Sequence, residues 1–171
     1  MRPPGFTLLE LALVLAIVAA AAAAVALGAR APLGQIGMRE AVRTVTAFDG
    51  LTRTFAREHD RPLRLVLDLA EGRLRRTGVE GREQLGAPAR LRSGCRIEEV
   101  RLPGRRVGSG TVGLSVSAWG FSPTYALRLA GPGGRDRWVL VAGLSGRITE
   151  TDDARMVEAA LAAAETGRHP R

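Results

Sequence analysis

The chain opens with a long apolar segment. Residues 6–27 are apolar except for Thr7 and Glu10, and about 22 residues of helix are enough to cross a hydrocarbon core of ~30 Å. A carboxylate inside such a segment costs at least ~2.5 kcal/mol on insertion scales, so Glu10 indicates a function. The pattern predicts a transmembrane helix over residues 6–29.

A second helical pattern follows over residues 30–60. Pro32, Gly34 and Gly37 are expected to weaken or kink the helix where the apolar segment ends. Between Met38 and His59, apolar residues then recur every three to four positions, which predicts an amphipathic helix that packs on a sheet. The opposite face, which carries charged residues such as Arg53, is expected to be solvated. The apolar stripe consists of Met38, Val42, Val45, Phe48, Leu51 and Phe55.

Residues 61–150 change to a period of two. Alternating apolar and polar residues between Gly- and Pro-containing turns predict an antiparallel β domain. Asp152 or Asp153 is expected to cap a final helix over 154–165, within a C-terminal segment 151–171. Strands are expected at 63–69, 73–77, 95–102 (with a bulge), 111–118, 125–129 and 138–142, and loops at 78–88, 102–104 and 108–110.

The chain is also strongly basic. The chain has 171 residues and a formal net charge of +8, which allows one membrane helix and one small domain. Every basic residue other than histidine is Arg, and the arginines are spread over the whole chain. This distribution favours arginines that are simply solvated over a nucleic-acid site. For the alternative of a nucleic-acid site, Arg105 and Arg106 are the candidate DNA contacts. The lone Cys95 and the separated His59 and His169 predict no metal site, and no cofactor is expected.

The N-terminus resembles the processing site of type IV pilins and pseudopilins. The resemblance rests on the basic leader that ends at Gly5, on the sequence Phe-Thr-Leu-Leu-Glu over residues 6–10, and on the apolar run. It implies that a prepilin peptidase cleaves between Gly5 and Phe6 and methylates the new N-terminal Phe6. It also implies that Glu10 serves filament assembly. Physical chemistry agrees, because Glu10 lies one helical turn after Phe6 and can neutralise the new α-amine of its own or a neighbouring chain.

Two ordinary explanations of this N-terminus stay open. A secretory signal peptide would have a basic start and a cleavage site near Ala29, but its apolar region is usually shorter and carries no Glu. A plain signal anchor explains the length of the apolar run and leaves Gly5, Phe6 and Glu10 unexplained.

The rest of the chain narrows the resemblance to the H-type minor pseudopilins of type II secretion (the GspH/FimT family). The hairpin 61–74 and the ending 127–148 are similar to that family. The chain departs from it around Trp119 and Phe121, an aromatic pair that either docks a partner or fills the core. The implied fold is α+β and pilin-like: a long N-terminal helix, half in the membrane and half amphipathic, packs on an antiparallel β-sheet domain, with a short C-terminal helix.

The resemblance also implies a function. The expected protein is a structural subunit of the pseudopilus that supports protein export, not an enzyme. Its expected partners are the prepilin peptidase, sister pseudopilins and an inner-membrane assembly platform. The expected location is the inner membrane, as a single-pass protein with its C-terminal domain in the periplasm. The alternative is a minor pilin of a type IV pilus or DNA-uptake filament that binds DNA through arginines.

Overall fold

The structure is a computed structural model that describes residues 8–81, 83–91, 94–132 and 134–167, with only the backbone described in 25–35. Two helices flank nine strands within these ranges. The helices are α1 (Leu8–Glu58) and α2 (Ala154–Thr166). The strands are β1 (Leu63–Asp68), β2 (Arg73–Gly78), β3 (Ala89–Arg90), β4 (Arg96–Leu102), β5 (Arg105–Val107), β6 (Thr111–Val116), β7 (Tyr125–Gly131), β8 (Arg135–Val141) and β9 (Ile148–Thr151).

Helix α1 has two different surroundings along its length. Every described side chain from Leu8 to Ala24 is exposed, and all but Glu10 are apolar. From Met38 onward most of the apolar stripe is buried against the strands, with Val45 fully buried and Phe48 nearly so, whereas Leu51 is 58% exposed. The second half of α1 therefore packs largely as its amphipathic pattern predicts, whereas the side chains of residues 8–24 remain exposed next to the described part of the chain.

The strands form two antiparallel sheets. Sheet A has the strand order β3-β2-β1-β6, and sheet B has the order β5-β4-β7-β8-β9. The register of β4 against β7 shifts between Ile97 and Glu99, which confirms the predicted bulge. Because side chains alternate across a strand, each sheet presents one apolar face to α1.

One large core lies between α1 and the inner faces of both sheets. Leu65, Leu67, Leu127 and Val139 are buried in it. A smaller cluster lies on the outer face of sheet B, where Val157 and Leu161 of α2 pack against Ala126 and Trp138. Sheet B is thus covered on both faces, whereas α2 leaves the outer face of sheet A open.

The predicted pilin-like fold class is wrong. The β region forms two antiparallel sheets. The N-terminal helix was expected to lie half in the membrane, but among the described residues no helix is both long enough and apolar enough to span one. The break predicted at Pro32, Gly34 and Gly37 is also not found, because the backbone remains helical through these residues.

The transmembrane assignment is contradicted as well. Nowhere in the described part of the chain is a helix both long enough and apolar enough to cross a membrane. The predicted single-pass location in the inner membrane, with the C-terminal domain in the periplasm, is therefore corrected.

Two smaller expectations also change. The segments around Ala89 and Arg105 were expected to lie in loops or between them, but they pair as the short edge strands β3 and β5. Arg53 was expected on a solvated helix face, but only 5% of it is exposed. A buried Arg needs acceptors nearby, and the structure supplies them from two loops.

Candidate partner-binding surface

Trp119 and Phe121 lie on an exposed turn after β6. The exposed fractions of these residues are 76% and 47%, so neither aromatic ring fills the core. The turn closes through backbone hydrogen bonds from Gly120 N to Ser117 O and from Ser117 N to Phe121 O, both 2.8 Å. Gly120 has φ +79°, a left-handed conformation that favours glycine, so the turn presents the two rings from a constrained backbone.

An apolar groove of about 580 Å³ lies beside this turn. Phe121 and Pro123 line one part of it, and Val79 and Leu144 line others. Leu144 is 78% exposed and Val79 is 58% exposed. Large apolar side chains clustered around a groove are typical of surfaces that bind another protein.

A buried arginine of α1 holds the two loops that carry these side chains. Arg53 Nη1 donates to Gly120 O at 2.9 Å and to Gly143 O at 2.7 Å. Its Nη2 donates to Ser122 Oγ at 2.7 Å. The loop with Trp119 and Phe121 and the loop with Leu144 are therefore fixed to the same guanidinium.

The charge of Arg53 is balanced inside the protein by Asp49. Arg53 Nε lies 2.6 Å from Asp49 Oδ2, and both side chains are almost fully buried. The other carboxylate oxygen accepts a hydrogen bond of 2.8 Å from the Tyr125 hydroxyl on β7. Burial of Tyr125, together with the negative charge of Asp49, raises the pKa of the phenol well above its usual value. The hydroxyl thus remains a donor to Asp49 at neutral pH.

Arg105 and Arg106, the candidate DNA contacts, lie on β5 at the edge of sheet B. Arg105 is exposed, whereas Arg106 forms a bidentate pair with the buried Glu99, at 2.5 Å from Nε and 2.8 Å from Nη2. Glu99 also binds Arg101, which reaches Glu158 of α2 at 2.9 Å. Arg106 therefore belongs to the ion network that connects sheet B to α2, and this lowers its availability for DNA.

The expected processing residues are Gly5 and Phe6, and the expected assembly residue is Glu10. Gly5 and Phe6 are outside the described residues. Glu10 lies in the first turn of α1 and is exposed, at the end of the helix where a carboxylate is favoured by the helix dipole. The structure therefore does not bring Glu10 together with Trp119 and Phe121.

No metal-binding cluster occurs among the residues described. Asp153 caps α2 by accepting a hydrogen bond of 2.8 Å from Arg155 N, and Asp152 pairs with Arg137 at 2.9 Å. Cys95 is buried, and this burial, followed by the nearby Glu40, raises the pKa of its thiol.

The sequence pattern alone did not identify Arg53 as an organising residue. The spacing of Asp49 and Arg53 at i and i+4 is compatible with an exposed ion pair on a helix. Nothing in the sequence connects this pair with carbonyl groups 67 and 90 residues away. Its position between apolar neighbours, with Phe48 before Asp49 and Phe55 after Arg53, was the one available signal.

Comparison of the chain with protein-family models, with curated proteins and with solved structures found no match.

Proposed function

We propose that this protein is a structural subunit of the pilin and pseudopilin class, cleaved between Gly5 and Phe6 and assembled into a filament through α1. One observation carries the proposal: the side chains of residues 8–24 of α1 are all exposed, and all but Glu10 are apolar. Leu8 is 88% exposed, and Leu15 and Ile17 are each 61% exposed.

Burial of the exposed apolar side chains of α1 against a partner would be energetically favourable. Removing apolar surface from water contributes about 25 cal/mol per Å², and the chain offers no described contact that removes it. Helices from neighbouring subunits would cover the apolar side chains by ridge-into-groove packing. This arrangement explains why an apolar helix precedes a domain whose own core is already complete.

Glu10 gives the assembly its specificity under this proposal. It is the one charged side chain between Leu8 and Ala24. Packing the helices together would bury its carboxylate, which then requires a positive partner. Cleavage after Gly5 would create such a partner, the α-amine of Phe6, in each subunit.

The test uses the full chain in its native host together with its normal filament machinery. We expect Glu10→Ala to be cleaved normally but to enter filaments poorly, whereas Glu58→Ala, which removes an exposed carboxylate from the other end of the same helix, assembles normally. Immunoblotting of sheared filaments and of whole cells separates the two effects. Equal incorporation of both variants would rule out the assigned role of Glu10.

A second variant tests the helix itself. Val14→Asp places a charge among exposed apolar residues of α1, so the domain should fold with unchanged stability while assembly is lost. If Val14→Asp subunits assembled as well as the unmodified chain, α1 would not be the assembly helix.

A further inference from the structure

We propose that the free edge of strand β6 binds an extended, acidic segment of a partner protein, which adds to sheet A as a further strand. This site lies on the β domain and not on α1, so it does not depend on the proposed assembly role of that helix. Three features of the described residues carry the inference: the hydrogen-bonding direction of β6, the groove at its end, and the position of Arg64.

Strand β6 pairs with β1 on one side and with no described strand on the other. Leu69 N donates a hydrogen bond of 3.0 Å to Gly110 O, and these two residues continue the register of the β1–β6 pair. Hydrogen-bonded and non-hydrogen-bonded pairs alternate along an antiparallel ladder. Leu114 therefore bonds to β1, whereas Gly113 and Ser115 direct their backbone N–H and C=O groups away from β1, toward the free edge.

The β6 edge differs from the other sheet edges in the described part of the chain. The edge strands β3, β5 and β9 have 2, 3 and 4 residues, and each contains at least one charged residue. Strand β6 has 6 residues, with no charge, no proline and no shift of register. Natural sheets usually protect their edges by shortness, charge or bulges, so a long uncharged edge indicates a surface that pairs with another strand.

The apolar groove beside Phe121 continues this edge. Ser115 and Val116 of β6 line the groove together with Phe121. The free edge ends at Ser117, whose N–H also faces away from β1 but donates a hydrogen bond of 2.8 Å to Phe121 O. A strand added to β6 would therefore end beside Phe121, where a terminal apolar side chain could occupy the groove.

Arg64 of β1 supplies a positive charge at this edge. Its Nε lies 2.5 Å from the position that a Cβ on Gly113 would occupy, so the side chain crosses from β1 over β6. Arg64 is exposed and forms no ion pair with a described carboxylate. Asp68 lies on the same face, but it is opposite Thr111, toward the other end of β6. An acidic side chain of the added strand therefore fits next to Gly113 or Ser115, away from Asp68.

The charge of Arg64 also disfavours a second copy of this chain as the occupant. Pairing of β6 with β6 of another copy around Gly113 would place the two Arg64 side chains close to each other. Like charges across such a junction are unfavourable, whereas a carboxylate at the same position is favourable. The occupant that fits this edge is thus an acidic segment of a different protein.

Fluorescence anisotropy of the full chain in mild detergent, titrated against a labelled peptide, tests the site. The peptide alternates Val and Thr around a central Glu, and a matched peptide carries Lys in place of the Glu. We expect the Glu peptide to bind about fivefold more tightly than the Lys peptide, the size of effect typical of an exposed ion pair. Arg64→Gln should remove this preference, whereas Arg105→Gln, which removes an exposed arginine from β5, should keep it. Absence of saturable binding, or equal affinity of the unmodified chain for both peptides, would overturn the proposal.

Ser115→Pro tests the edge itself. Proline at this position removes an N–H that faces away from β1, so the β1–β6 ladder keeps all of its hydrogen bonds. We expect the variant to keep its circular dichroism spectrum and to bind the Glu peptide at least about tenfold more weakly. A folded Ser115→Pro chain that binds the Glu peptide as tightly as the unmodified chain would show that the edge is not the site.

Amide hydrogen exchange, measured by NMR on the unmodified chain, reports the pairing without any substitution. We expect the amide of Leu114 to be protected in the free chain, and the Glu peptide to slow exchange at Gly113 and Ser115 by at least about tenfold. Peptide binding that leaves these two amides unprotected would contradict strand addition. Dimerisation that protects the same amides without peptide would identify a second copy as the occupant, and would overturn the assignment of an acidic partner.

Discussion

Replacing Arg53 should separate its part in stability from its part in shaping the exposed loops. Arg53→Leu leaves the buried carboxylate of Asp49 without its cation and removes three donors from Gly120, Ser122 and Gly143. Breaking a buried ion pair by removing one partner costs about 3–5 kcal/mol. We expect a loss of that size in the free energy of unfolding.

Two companion variants make this expectation specific. Arg53→Lys keeps the charge next to Asp49 but cannot reach all the loop acceptors, so it should lose less, about 1–3 kcal/mol. Arg43→Ala removes an exposed arginine from the same helix and should change stability by no more than about 0.5 kcal/mol. Urea unfolding, followed by circular dichroism, measures all three.

Tryptophan fluorescence provides the readout at the loops. Trp119 is exposed and Trp138 is buried, so acrylamide quenching mainly reports the environment of Trp119. In Arg53→Lys, which should remain folded, we expect changed quenching because the turn has lost part of its anchor. An Arg53→Leu variant that loses less than about 1 kcal/mol would refute the view that the buried pair and its loop contacts stabilise the domain.

Three other measurements test particular contacts. The pKa of Tyr125 is raised in the folded state, so the stability that the protonated phenol contributes is present below the unfolded pKa of ~10 and is lost as the pH rises above that value. The free energy of unfolding should therefore depend less on pH between about 9 and 11 in Tyr125→Phe. The same variant should lose about 1–2 kcal/mol at pH 7, because the hydrogen bond to Asp49 is gone; no loss would contradict the contact. Glu99→Gln leaves Arg101 without its nearest carboxylate and should destabilise the fold by about 2–4 kcal/mol, measured by urea unfolding, whereas an unchanged midpoint would show that the network is dispensable. Cys95 should react with iodoacetamide at pH 8 at least about tenfold more slowly in the folded protein than in urea, since it is buried and the pKa of its thiol is raised, and equal rates would contradict its burial.

The strands were largely predictable because their burial alternates in the sequence. Leu63, Leu65 and Leu67 are buried as the period of two indicated, and α2 begins after Asp153 as expected from its capping side chain. Such local patterns indicate which face of a helix or strand is buried. They do not indicate how many sheets the strands form, since the division into sheets A and B depends on contacts between distant strands.

The same distinction between local patterns and distant contacts applies to the site residues. The exposure of Trp119 could not be settled from the sequence, because a bulky aromatic residue in a turn is compatible with core or surface. The position of Arg53 was misjudged, since a charged side chain on the polar face of an amphipathic helix is usually solvated. Its acceptors include Gly143, which is distant in the sequence and could not be identified from a local pattern.

Mass spectrometry of the mature N-terminus, on protein isolated from its native host, tests the proposed function most directly. A structural subunit of the pilin and pseudopilin class should begin at Phe6 and carry one methyl group on its α-amine. A chain that begins at Met1, or one that begins near Arg30 after cleavage by a signal peptidase, would contradict the proposal.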